Sequence, residues 1–224
     1  MHDIDDEIAA TAARLVVEEG LEYASAKRRA VKTLGLPSRS ALPSNDVLDT
    51  HVREYIEIFC GDTQPGELLA LREHALVWMR RMADFRPHLS GAVWRGAATR
   101  LSDIYIALFC DDSKAAEITL IDKNVQYKTS TITGLHGDAV DALSISSLCK
   151  GLNEHVGVHL LVYGYDDLRG ALKAPNSGAS AGQSPRGDVA ALERVLAQPQ
   201  VNDPLISQRA HYQEKQPQYK EVML

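Results

Sequence analysis

The run Ser90-Gly91-Ala92-Val93-Trp94-Arg95-Gly96-Ala97-Ala98-Thr99-Arg100-Leu101-Ser102-Asp103-Ile104-Tyr105-Ile106 lies where the hydrophobic pattern of this chain changes period. Before it, apolar residues recur at helical spacing; after it, they come in short runs suited to strands. Residues 89–94 and 103–110 are predicted as two such strands, joined by a turn rich in Gly, Ala and Arg. Gly91 has no β-carbon, so the backbone there can approach a bound anion closely, and the amides that follow can face its oxygens. On a strand, residues i and i+2 point to one side, so Asp103 and Tyr105 share a face. Read for local structure alone, the run is a tight strand–turn–strand connection in which Ser102 and Asp103 cap a turn.

Upstream, residues 4–34 place Ile4, Ile8, Ala12, Leu15 and Val16 on one helical face, and Gly20 divides the segment into two helices. Residues 35–43 form a loop by their glycine and prolines, and Ser44 or Asn45 caps a third helix reaching about Phe59. A fourth begins after Thr63 with Pro65 in its first turn and continues to Met82. Downstream, 113–123 return to helical spacing, while 125–131, 140–146 and 156–163 are predicted strands. The stretch 174–185, rich in Ala, Ser, Gly and Pro, cannot bury enough apolar surface to order itself and is predicted as a linker. A short helix is predicted over 188–197, followed by a loosely held tail. The fold class expected is α+β: a helical section over 1–85, a small mixed sheet with helices over 86–173, and a linker and flexible tail over 174–224.

With 224 residues, 45% of them hydrophobic, the chain can bury a real core. A net charge of −6 supplies no broad positive field, which disfavours binding to long nucleic acid. The three cysteines are too widely spaced for a zinc knuckle or a redox pair and read as thiols in a reducing compartment. The acidic start, Met1-His2-Asp3-Ile4-Asp5-Asp6-Glu7, and the absence of a long uncharged apolar run predict a cytoplasmic location away from membranes. No glycine is followed by lysine, so a Gly-Lys-Ser/Thr phosphate loop is excluded.

The hairpin resembles the nucleotidyltransferase superfamily, the polymerase-beta-like fold. In that family a strand ends in Gly-Ser or Gly-Gly, a short helix follows, and a second strand opens with Ser-Asp-hydrophobic-Asp-hydrophobic. Here Gly91 holds the glycine position, Arg95-Gly96-x-Ala98 follows, and Ser102-Asp103-Ile104-Tyr105-Ile106 opens the second strand. The resemblance implies a nucleoside triphosphate bound at Gly91, Ala92, Arg95 and Ser102, with magnesium held by carboxylates that organise the phosphates. Two departures stand out. Ala92 replaces the usual Ser or Gly and keeps only its amide. Tyr105 replaces the second carboxylate, and a phenol with a pKa of about 10 is a poor magnesium ligand. The family's third carboxylate sits on a later, neighbouring strand, and Val140-Asp141-Ala142-Leu143 matches its wording best.

The resemblance therefore implies magnesium on Asp103 and Asp141, and transfer of a nucleotidyl group to an unknown acceptor. The alternative is a decayed site on a retained fold, acting as a non-enzymatic binding or regulatory module. In either case the N-terminal helices are candidates for a protein partner or for self-association. Arg95 and Arg100 are candidate phosphate clamps, and His88 and His136 are candidate phosphate contacts or bases. His155 and His159, four residues apart on a strand, stand about 13 Å from each other and cannot share an ion.

Overall fold

The computed structural model describes residues 2–134, 137–172 and 184–198. Helices come first. α1 (His2–Glu19) and α2 (Tyr23–Thr33) part at Gly20, which adopts φ 68°. A β-carbon on Gly20 would collide with the Leu101 carbonyl, so only glycine lets this turn dock on the hairpin. α3 (Asn45–Phe59) starts where the Ser44 hydroxyl accepts the Val47 amide at 3.2 Å. α4 (Gln64–Arg81) carries Pro65 in its first turn, where no amide partner is lost.

The sheet consists of β1 (His88–Ser90), β2 (Ile104–Cys110), β3 (Lys128–Thr133), β4 (Ala139–Cys149) and β5 (Glu154–Gly164), in the order β1-β2-β5-β4-β3. Only β2 and β5 pair in parallel. α5 (Gly91–Arg95) joins β1 to β2, α6 (Ala115–Asp122) follows β2, and α7 (Leu168–Ala171) and α8 (Val189–Ala197) follow β5. The strand expected over 89–94 stops at Ser90, because Gly91 turns the chain at φ 71° into α5. The strand expected from 125 starts at Lys128, since the Val125 amide closes α6 on the Leu120 carbonyl. Ala139–Cys149 and Glu154–Gly164 run longer than their apolar patterns, because their ends pair with each other.

One face of the sheet is covered by helices. Ile104, Ile106 and Leu108 of β2, Val158, Leu160 and Val162 of β5, and Leu143 and Ile145 of β4 pack with Leu71, Trp78 and Met79 of α4, Met82 just after it, Leu120 of α6 and Leu192 of α8. Each such side chain contributes about 2 kcal/mol on burial. A second cluster joins Ile8, Leu15 and Val16 of α1 to Ala26 and Ala30 of α2 and Leu48, Val52 and Ile56 of α3, with Ala97 of the hairpin inserted into it. A third cluster, Ala107, Phe109, Ala142, Leu161 and Tyr163, lies on the opposite face of the sheet. Among the described residues no helix is long and apolar enough to cross a membrane.

The cores do not follow the expected limits. α4, placed with the helical section, packs on the sheet because its apolar stripe faces β2 and β4. α8, placed with the tail, belongs to the same core: Leu192 is fully buried, and Leu89 and Gly187 exchange backbone bonds of 2.8 and 3.0 Å. Residues 173–183 and 199–224, which hold most of the expected linker and tail, lie outside the described residues.

The helices are tied to the hairpin by polar contacts as well. Asp49 of α3, only 3% exposed, accepts the Tyr23 hydroxyl at 2.8 Å, Arg53 Nε at 2.9 Å and Arg95 Nε at 3.2 Å. Carbonyls left open by the short α5 and its turn are taken by side chains: Arg72 serves Val93 and Trp94, Arg53 serves Arg95, and Gln64 serves Gly96 and Ala98. Asp49→Ala strands these donors around a buried gap. We expect it to cost about 1–3 kcal/mol, read as a lower urea midpoint at unchanged slope; an unchanged midpoint would show that the carboxylate does not carry the junction.

Candidate functional site

Sheet register places one polar row across the face opposite α4. Ser90 pairs with Tyr105, Tyr105 with His159, His159 with Ser144, and Ser144 with Lys128. Asp103 stands just before β2, at the edge of this row. Its carboxylate reaches across to β5, where Oδ1 accepts the Gly157 amide at 3.1 Å and Oδ2 accepts His159 Nε2 at 3.1 Å. A β-carbon on Gly157 would overlap that carboxylate, so glycine is what opens the space for it. The other imidazole nitrogen, Nδ1, lies 2.9 Å from the Ser144 hydroxyl, and the Tyr105 ring stacks on the imidazole at 4.7 Å between centroids.

The bond from His159 is the main reason the Asp103 carboxyl is held below its ordinary range; partial burial opposes it, and the Gly157 amide assists. Burial, followed by the influence of the Glu22 carboxylate, pushes the Tyr105 phenol well above its ordinary value. Tyr105 therefore stays protonated and offers no anionic oxygen to a cation.

Asp141 does not join Asp103. It pairs with Val162 on the helix-covered face, while Asp103 faces the other side. Ile104 is level with Val158 and Asp103 therefore with Gly157, so Asp141, level with Val162, also lies five residues farther along β5, about 16 Å. Its neighbour is Lys114 at 3.8 Å, which also pairs with Glu117 of α6. The strand beside β2 is β5 rather than β4, and the residue level with Tyr105 is His159. The wording Val-Asp-hydrophobic misdirected the assignment because strand order is invisible in a local motif. Among the described residues no group of three His, Cys, Asp or Glu side chains is disposed to hold a metal ion. Asp103 and Asp141, on opposite faces of the sheet, are not placed to share one ion.

The remaining candidates separate cleanly. Gly91, Ala92, Arg95, Ser102 and Asp103 do converge, lining a cleft of about 330 Å³ together with Gly20, Glu22, Tyr23, Asn45, Tyr105, Ile132 and Leu161. Arg95 is not a free clamp, since it bonds Asp49 and lies over the Tyr23 ring at 5.0 Å. Arg100 is held by Glu67 through its amide and by Glu154 through its guanidinium. The Ser102 hydroxyl closes a turn on the Thr99 amide at 3.1 Å, as the local reading of the run expects. His88 is buried, bonded to the Arg86 carbonyl and edge-on to Phe109. His136 lies outside the described residues.

No protein-family model, curated protein or solved structure matches this chain. The site thus stands on its own geometry. Sequence reasoning missed Glu22, Asp49 and Ser144. Asp49 carried a signal, being a carboxylate beside Leu48 on the stripe that Val52 and Ile56 continue. Glu22 and Ser144 carried none, because a turn acid and a strand serine are ordinary.

Asp103 sets a pH dependence whose sign follows from its depressed pKa. The unfolded chain takes up the proton first, so this contribution is complete above about pH 4, the ordinary aspartate range, and is lost as pH falls below it. Melting temperatures measured from pH 3 to 7, taken as roughly the window that spans that range, are expected to fall less steeply on the acid side in Asp103→Asn than in the wild type. Parallel acid limbs would show that His159 and Gly157 do not hold the carboxylate ionised.

Proposed function

We propose that the chain is a nucleotidyltransferase-like fold whose metal-dependent transfer site has decayed and whose cleft now serves as a binding module. The observation that carries this reading is the state of the two positions that would hold magnesium. Asp103 is engaged by His159 and Gly157, and Tyr105 is a protonated phenol stacked on the His159 ring. The order of strand, short helix and strand, with Asp103 entering β2, supports the fold resemblance. The cleft volume suits a small nucleotide-sized ligand, and Tyr23, Tyr105 and Leu161 offer it apolar surface while Asn45 and the Gly91–Ala92 backbone offer hydrogen bonds. Its nearest guanidinium, Arg95, is tethered through Nε to Asp49, a carboxylate it shares with Arg53.

Calorimetric titration with each nucleoside triphosphate, with and without magnesium, tests the reading. Wild type is expected to show no magnesium-dependent binding. Tyr105→Asp is expected to gain it, because residues 103 and 105 share a face and two carboxylates then flank one ion. Magnesium-dependent binding by the wild type that Asp103→Ala abolishes would instead establish a working transferase site with one carboxylate fewer.

A further inference from the structure

The polar row contains an arrangement that the nucleotide reading does not use. Ser144 Oγ is 2.9 Å from His159 Nδ1, and His159 Nε2 is 3.1 Å from Asp103 Oδ2. The donors and acceptors form one consistent chain. Asp103 is ionised and accepts from Nε2, so the neutral imidazole carries its proton there and leaves Nδ1 as an acceptor for the Ser144 hydroxyl. Hydroxyl, imidazole and carboxylate in this order are the elements that turn a serine into a nucleophile; either ring nitrogen can face the hydroxyl, provided the other is held.

The surroundings hold the relay in place. Three strands fix its spacing, since Tyr105, His159 and Ser144 are successive register partners. Tyr105 stacks on the imidazole and limits its rotation, and the Gly157 amide anchors the carboxylate from its other oxygen. Ser144 is half-buried and His159 keeps 21% of its side chain exposed, so the pair is reachable from solvent. Lys128, exposed on β3, is the direct cross-strand partner of Ser144, at the separation where side chains of an antiparallel pair meet. Its ammonium can stabilise negative charge developing beside Ser144.

We infer that Ser144 is a nucleophile toward small uncharged carboxylic esters, with His159 as its general base and Asp103 as a positioning residue. Ser144 Oγ bonds the ester carbonyl carbon while its proton passes to His159 Nδ1. The tetrahedral oxyanion, beside Lys128, collapses; the ester C–O bond breaks, and the departing alcohol takes the proton from Nδ1. Water then attacks the acyl-serine by the same proton route, releasing the carboxylic acid and restoring the hydroxyl. The carboxylates of Asp103 and Glu22 disfavour anionic phosphoesters, which leaves uncharged esters as the class that fits.

The test treats the full chain with a fluorophosphonate and maps the adduct by mass spectrometry, alongside hydrolysis of p-nitrophenyl acetate. The expected result is one adduct on Ser144, absent in Ser144→Ala. Labelling should slow by about a hundredfold in His159→Ala, and the pH-dependent limb of the labelling rate should vanish in that variant. Asp103→Asn should lower the rate while leaving the adduct on Ser144. Circular dichroism and a cooperative melt verify that each variant folds. Absence of an adduct on Ser144 in folded wild type overturns the inference without recourse to any variant, as does ester hydrolysis undiminished in Ser144→Ala. Neither result bears on magnesium-dependent nucleotide binding, which is read separately.

Discussion

Asp49 gathers Tyr23, Arg53 and Arg95 around one buried carboxylate and thereby ties α2 and α3 to the hairpin that carries Gly91. An ionised group so deeply buried is tolerated only when donors surround it. Three donors from α2, α3 and α5 meet that condition, and Arg53 adds a bond to the Arg95 carbonyl. Ala97 strengthens the junction by inserting into the cluster of α1, α2 and α3. The cleft exists because of this junction: Gly20, Glu22, Tyr23 and Asn45 form one wall only while the helices stay docked on the hairpin. The same arrangement fixes Arg95 through its Nε, so the contact that builds the cleft also sets where that cation stands.

The sheet imposes the second constraint. Side chains alternate strictly between faces, and one face of β2, β5 and β4 is covered by α4, α6 and α8. Polar groups on the covered face are engaged by the helices, as Ser147 is by His74 and Trp78 of α4 and Asp141 by Lys114 beside α6. Asp103, Tyr105, His159 and Ser144 lie together on the opposite face. Their convergence follows from the parallel pairing of β2 with β5 and the antiparallel pairing of β5 with β4.

Tyr105 places a neutral group on the same face as Asp103. A second anion beside Asp103 would repel it unless a cation intervened. The neutral phenol avoids that repulsion and stacks on His159. The His159 imidazole lies beside Asp103 and bonds its carboxylate, and the hydrogen-bond chain across this face ends at a serine hydroxyl.

Much of the fold is legible in the chain itself. The division at Gly20, the start of α3 at Ser44, the Pro65 turn of α4 and the α8 segment all follow from short-range chemistry of capping, glycine and proline. Asp103 and Tyr105 were rightly placed on one face, because the period of a strand is a local property. The pairing of Asp103 with Asp141 was not, because the order and direction of strands are set by which apolar faces pack together across more than fifty residues of chain, such as Asp103 to His159 at 56. Local sequence therefore determined the elements and the faces their residues occupy. Tertiary structure alone decided that β5 lies beside β2, that His159 rather than a carboxylate meets Asp103, and that Asp49 holds the helices against the hairpin, since each depends on packing between segments that carry no mark of one another.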